Sequence, residues 1–132
     1  MDTLSITSSQ IEGKSSVTVF HLSGTMDATS ENDLCRHARQ AFDSGVQNLV
    51  LNMKNVEMIT SAGLRALHNI FKMCTTKKEI EDARLKDEFF KSPHFKLAAA
   101  SPQVYYVLNL AGFLHNIPFY TTLEEALDSY TA

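Results

Sequence analysis

An α/β domain with a mixed, mostly parallel β-sheet and helices packed against it is the fold class this chain predicts, on three observations. Short β-rich runs alternate with amphipathic helical stretches, a pattern that implies crossovers between parallel strands. Leu49, Val50 and Leu51 are apolar at consecutive positions, as in a central strand covered on both faces. Two β-rich runs at the N-terminus flank a short turn, the mark of an antiparallel hairpin. A length of 132 residues with 44% hydrophobic content suits one domain over 1–132 with a core able to fold by itself. No internal repeat or low-complexity block interrupts it.

The hairpin is expected from residues 3–8 and 16–22, joined through Gln10-Ile11-Glu12-Gly13-Lys14 with Gly13 as the pivot. After Gly24, Thr29 or Ser30 can cap a helix whose Leu34, Ala38, Ala41 and Phe42 fall on one face, and Gly45 closes it. Residues 48–53 read as the central strand, which then gives way to a short loop through Val56, Glu57, Met58 and Ile59. Thr60-Ser61-Ala62-Gly63-Leu64 opens the next helix, with Leu64, Leu67, Phe71 and Cys74 as its buried spacing and Arg65, His68 and Lys72 left for another face.

Phe95 to Ala100 reads as a further strand. Ser101 and Pro102 supply the cap and first position of a third helix with Val104, Val107, Leu108 and Ala111 as its apolar stripe, ended by Gly112. Residues 117–120 form a last edge strand. Thr122 with Glu125 three residues on is a capping-box pattern for a tail helix that carries Leu123, Ala126, Leu127 and Tyr130 along one side.

Composition narrows the function. A net charge of -3 and a pI near 5.9 leave no basic stripe to neutralise phosphates, so a folded protein partner is expected and direct nucleic-acid binding is not. Without a basic and apolar leader or a long apolar run, the expectation is a cytoplasmic protein with no membrane contact. Cys35 and Cys74 lack metal-ligand spacing and read as buried, reduced thiols. His21, His37, His68, His94 and His115 are scattered one per element, so neither a metal site nor a cofactor is expected. Ile59 stands where a G-x-S-x-G nucleophile elbow needs glycine, and no G-x-x-x-x-G-K-[ST] loop is present. No enzymatic reading survives.

Ser61 stands at a helix entrance, where free backbone N–H groups and the positive end of the helix dipole favour an added negative group. From position alone a plain N-cap is the simpler role, and Gly63 and Asp27 have equally simple readings as a close-packing and a turn or capping residue.

Gly24-Thr25-Met26-Asp27-Ala28, Leu49-Val50-Leu51-Asn52 and Ile59-Thr60-Ser61-Ala62-Gly63-Leu64 together resemble the STAS domain of anti-sigma factor antagonists. The likeness continues through Ser101-Pro102-Gln103-Val104, Leu110-Ala111-Gly112-Phe113 and Leu123-Glu124-Glu125-Ala126-Leu127, nearly the whole chain. The resemblance implies a non-catalytic bacterial regulator that takes part in partner switching. It binds an anti-sigma factor that is also a serine kinase, is switched off by phosphorylation, and is restored by a metal-dependent serine phosphatase; unphosphorylated, it releases a sigma factor for transcription.

The phosphoacceptor matched by the resemblance is Ser61, with Thr60 as the alternative, and the implied partner-binding residues are Asp27, Thr60, Ser61, Ala62, Gly63 and Leu64. A weak homodimer is possible. The alternative function is a STAS scaffold or sensor module in a stress-signalling or transport-associated assembly, without phosphorylation. Three positions depart from the family pattern: Thr60 replaces a frequent acidic residue, Ala62 a frequent hydroxyl, and Asn52 an aspartate expected at the strand end. An atypical insertion at about 76–93 also sets the chain apart. It reads as extended helix and loop broken at Ser92-Pro93, or as an added contact surface anchored by Phe89 and Phe90.

Overall fold

The computed structural model describes residues 4–12, 16–74 and 92–130. Strand β1 (Ser5–Ile11) pairs antiparallel with β2 (Val17–Met26), Ile11 opposite Val17, so the expected hairpin forms. Gly13 lies outside the described residues. β2 runs parallel to β3 (Asn48–Ile59), β3 to β4 (Phe95–Ala98), and β4 to β5 (Phe119–Tyr120), giving a sheet in the order β1-β2-β3-β4-β5. Among the described residues four helices accompany it: α1 (Ala28–Asp43), α2 (Ser61–Met73), α3 (Pro102–Leu110) and α4 (Leu123–Asp128). A 3-10 turn covers Phe113–His115.

Strand alternation divides the core between the two faces of the sheet. Phe20, Leu22, Leu49, Leu51, Met53, Phe95 and Leu97 meet Leu34 and Ala38 of α1, Ala66, Leu67 and Ile70 of α2, and Val104 and Leu108 of α3. On the other face Val17, Val19, Val50 and Ala98 are covered by Ala126 of α4. The unbroken apolar run at 49–51 is therefore required, since neither face of β3 is free at that level. Lys96 also points to the α4 side, where its Nζ donates to Ser129 Oγ at 2.6 Å and lies 3.9 Å from the centroid of the Tyr130 ring. Burial lowers the Lys96 pKa, and the aromatic face and hydroxyl stabilise the cation that remains. Tyr130 donates to the His94 carbonyl at 2.8 Å, tying the end of the chain to the start of β4.

Several boundaries differ from expectation. α1 is capped by Asp27 rather than by Thr29 or Ser30: Asp27 Oδ1 accepts from Thr29 N–H at 2.9 Å, while Ser30 Oγ accepts from Asp27 N–H at 3.0 Å, a reciprocal capping box. β3 does not stop near Met53 but continues to Ile59, because β2 extends alongside it as far as Met26 through two register shifts. Asn52 consequently sits inside the strand, its Nδ2 3.0 Å from His21 Nδ1.

β4 ends at Ala98, two residues early, because Ala99 adopts a left-handed φ of 64° that no strand continues. Ala111 is exposed, since α3 ends at Leu110 and Ala111 is its C-cap. In α2 the deepest positions are Ala66, Leu67 and Ile70, whereas Leu64, Phe71 and Cys74 are half-buried. Ile117 is buried but precedes the two-residue β5. Gly45 and Gly112, at φ of 107° and 79°, follow the ends of α1 and α3 as expected. Cys35 and Cys74 are half-buried rather than buried.

Residues 75–91, and with them most of the atypical 76–93 segment including Phe89 and Phe90, lie outside the described residues. The chain returns at Ser92, whose buried hydroxyl accepts from Phe95 N–H at 3.0 Å.

Leu51 has no exposed surface and stands at the centre of the helix-covered face. Leu51→Ala is expected to lower unfolding stability by about 2–5 kcal/mol, the usual cost of lost burial plus an unfilled cavity. Urea denaturation with an unchanged m-value checks this; a loss below about 1 kcal/mol would place Leu51 outside the core.

Candidate functional site

β2 and β3 are parallel and end together, Met26 beside Ile59. Each strand passes almost at once into a helix, so the N-termini of α1 and α2 emerge side by side at the carboxyl ends of the strands, the usual place for function in such sheets. The junction is knit by Thr60, which donates from its N–H to Met26 O at 2.9 Å and from Oγ1 to the same oxygen at 3.3 Å. Thr60 is the N-cap of α2, but its hydroxyl is thereby turned inward and makes no cap bond.

Ser61 is the first helical residue, not the N-cap, and its side chain is exposed. Beneath it Ala62 is buried and Gly63 presses on the end of β2: a Cβ at Gly63 would stand 2.5 Å from Met26 O and 2.8 Å from Ile59 Cγ1. The bare glycine is what lets α2 begin this close to the strand. Leu64 is half-buried over the core.

The neighbouring helix starts are finished differently. Asp27 caps α1, Ser101 Oγ accepts from Val104 N–H in α3, and Thr122 Oγ1 accepts from Glu125 N–H in α4. α2 alone among the described helices has neither a side-chain cap nor an acidic residue in its first turn. Its leading N–H groups and the positive end of its dipole are left for solvent or an added anion. Asp27 sits beside it with a carboxyl held below its ordinary 3.8, chiefly by the hydrogen bond from the Thr29 hydroxyl, so it is negative at neutral pH.

Two further residues join the site that the sequence reading did not single out together. Arg65, one turn beyond Ser61, donates from Nε to Glu31 Oε2 at 2.9 Å and from Nη2 to Glu31 Oε1 at 3.0 Å. This bidentate pair ties the first turn of α1 to the second turn of α2, and the Arg65 contact lowers the Glu31 pKa from 4.5. For Arg65 the sequence carries a signal in its four-residue step from Ser61; for its pairing with Glu31, 34 positions away, it carries none.

The nearby cleft between the end of β3 and α3, lined by Met58, Gln103 and Val107, holds about 90 Å³, well short of the 300 Å³ or more of an ordinary ligand pocket. A larger concavity of about 520 Å³ lies at the opposite end of the strands, beside Gln10, Val17, Gly45 and Asn48. Among the described residues no cluster of His, Cys, Asp and Glu could hold a metal ion, and no helix is long and apolar enough to cross a membrane.

A family model of the STAS domain matches residues 8–81, a stretch that runs from the first strand through Ser61 and α2. No curated protein sequence matches the chain. Its fold is similar to that of an anti-sigma factor antagonist from Mycobacterium paratuberculosis, with a TM-score of 0.73 and 22% identity over 97% of this chain and 96% of that one. It is similar also to the phosphorylated form of the Bacillus cell fate determinant SpoIIAA, with a TM-score of 0.61 and 16% identity over 94% and 97% of the two chains. A sulfate transporter family protein from Wolinella succinogenes shares the fold as well, at a TM-score of 0.58 and 16% identity over 87% and 84%. At such identities the likeness establishes the architecture alone.

Gly63→Ala tests the geometry of this helix start. The added methyl must displace backbone at Met26, so unfolding stability is expected to fall by about 1–3 kcal/mol in urea titrations. A neutral or stabilising result would mean that α2 does not begin against β2.

Proposed function

This chain belongs to the STAS domain family, and from that premise we propose that it acts as an anti-sigma factor antagonist controlled at Ser61. Unmodified, it binds an anti-sigma factor that is also a serine kinase and so frees a sigma factor. Phosphorylated on Ser61 it lets go, and a metal-dependent serine phosphatase returns it to the binding state. It is a regulatory module of the cytoplasm, without catalysis of its own and without contact to nucleic acid.

One observation carries the reading: Ser61 is exposed at the first position of a long helix whose N-terminus no side chain caps. A kinase can reach that hydroxyl, and the phosphate it adds meets the leading N–H groups of a helix whose own first turn carries no carboxylate. Thr60 is the poorer acceptor because its hydroxyl is turned onto the Met26 carbonyl. Asp27, Thr60, Ser61 and Leu64 supply the contact surface, while Ala62 and Gly63, buried beneath it, hold that surface at its height.

The phosphate brings about -1.5 to -2 charges and three strong acceptor oxygens. At an exposed helix N-terminus this is favourable by about 0.3–1 kcal/mol, so the domain stays folded. Release comes from the partner's side, through desolvation of the dianion, steric conflict and like-charge repulsion that a neutral hydroxyl avoids. A penalty of about 3 kcal/mol would weaken binding more than a hundredfold.

The test is to incubate the protein with anti-sigma-type serine kinases of its own organism and ATP, then to locate the modified residue by mass spectrometry. Phosphate is expected on Ser61, and Ser61→Ala should abolish labelling while binding the kinase as tightly as the unmodified protein. Ser61→Glu should bind at least about tenfold more weakly, a difference of about 1.4 kcal/mol. Equal affinity of the phosphorylated and unmodified proteins for the kinase would refute the switch.

A further inference from the structure

We propose that Arg65 is the intramolecular receiver of the Ser61 phosphate, and that phosphorylation draws its guanidinium away from Glu31, leaving that carboxylate bare on α1. The inference rests on the Ser61 reading and names what the modification does next. Three features of the fold converge on it.

The first is placement. Ser61 and Arg65 are four residues apart on α2, which puts their Cβ atoms about 5–6 Å apart on one face, with the acidic member N-terminal to the basic one as the favoured order requires. The second is availability. The Arg65 side chain is 65% exposed and that of Glu31 17%, so the cation is free to pivot at the surface while its present partner is held. The third is strength of competition. Arg65 now engages a single carboxylate through Nε and Nη2. A phosphate dianion offers roughly twice the charge and equally suits the planar guanidinium fork.

Glu31 can be released at little cost. It lies in the first turn of α1, where the helix dipole favours a negative side chain, so it loses one stabilising partner and keeps another. The outcome at the surface differs from simple addition of a phosphate. Before modification the α1–α2 seam presents a neutral hydroxyl and a closed ion pair beside Asp27. Afterwards it presents a phosphate engaged by Arg65 and two carboxylates without a cationic partner, Asp27 and Glu31, at the start of the adjoining helix. The change a partner meets therefore spans both helices.

Phosphoserine placed at position 61 by genetic encoding, with no kinase involved, allows a direct test by phosphorus NMR. Contact with Arg65 stabilises the dianion, so the second ionisation of the phosphate should fall at lower pH in the otherwise unaltered chain than in Arg65→Gln. The expected difference is about 0.5 unit, below the roughly one to three units seen for a carboxylate beside a close arginine. Glu31→Gln, which removes the competitor, should move the ionisation lower still, and Arg65→Lys should retain part of the effect.

The Arg65 Nε–H resonance should shift on phosphorylation and stay put in a Ser61→Ala control treated alike. Identical phosphate ionisation in the unaltered and Arg65→Gln proteins, both folded by circular dichroism, would overturn the proposal. That result would leave the Ser61 switch itself standing, because failure of the switch is read separately, from kinase labelling.

Discussion

The parallel pairing of β2 and β3 out to their last residues, with Gly63 seated on the Met26 carbonyl, is the constraint on which the rest of the site depends. Two strands that end level must hand over to two helices that begin level. Because each link is a single residue, Asp27 or Thr60, neither helix start can drift from the sheet. The Thr60 N–H and hydroxyl both close onto Met26 O, so the start of α2 is fixed to the end of β2 and not merely packed near it. Whatever is attached at Ser61 is thus presented at a set height beside Asp27.

That fixed platform is supported by a core with two faces. The face carrying α1, α2 and α3 holds most of the large buried side chains, including Leu34, Leu51, Leu67, Ile70 and Leu108. The face under α4 is smaller and is completed by Lys96, Ser129 and Tyr130, groups whose polar atoms find one another. Ala62 and Gly63, the two residues immediately after Ser61, belong to the buried side of α2. A charge added to Ser61 is therefore one peptide bond from the packed interior and yet entirely outside it, which is why surface chemistry can change while the packing does not.

Much of this was legible in the residues. Ser101-Pro102 and the Thr122/Glu125 pair state the starts of α3 and α4 unambiguously, because cap and first-turn chemistry coincide there. Gly45 and Gly112 mark helix ends by positions that need positive φ. The start of α1 was harder, since Asp27, Thr29 and Ser30 can all cap. The reciprocal bond is completed by a serine at the third position instead of the usual glutamate or glutamine.

The length of β3 was masked by Asn52, Lys54, Asn55 and Glu57. These polar residues look like a loop, yet Asn52 and Asn55 pair with His21 and Ser23 of β2, while Lys54 and Glu57 fall at the two register shifts inside the strand. The Glu31–Arg65 contact had no local signal at all, because its members are 34 positions apart and meet only once α1 and α2 are packed.

The balance of charges at the two helix starts decides how such a switch can work. A dianion and a carboxylate about 8 Å apart in water repel by roughly 1 kcal/mol before salt screening. The N-terminus of α2 returns about 0.3–1 kcal/mol, and an exposed arginine contact returns a similar amount. Within the domain these contributions nearly cancel, so a phosphate at Ser61 would move the folding equilibrium little in either direction. A protein partner closing over the same atoms, as proposed, would remove the water that makes the cancellation possible, and every unmatched charge there would then cost several times more. The replacement of the family's frequent acidic residue by Thr60 fits this arrangement. With its hydroxyl turned inward, Thr60 adds no charge beside Ser61, so the contrast that the proposed modification would make is set by the phosphate and its immediate neighbours.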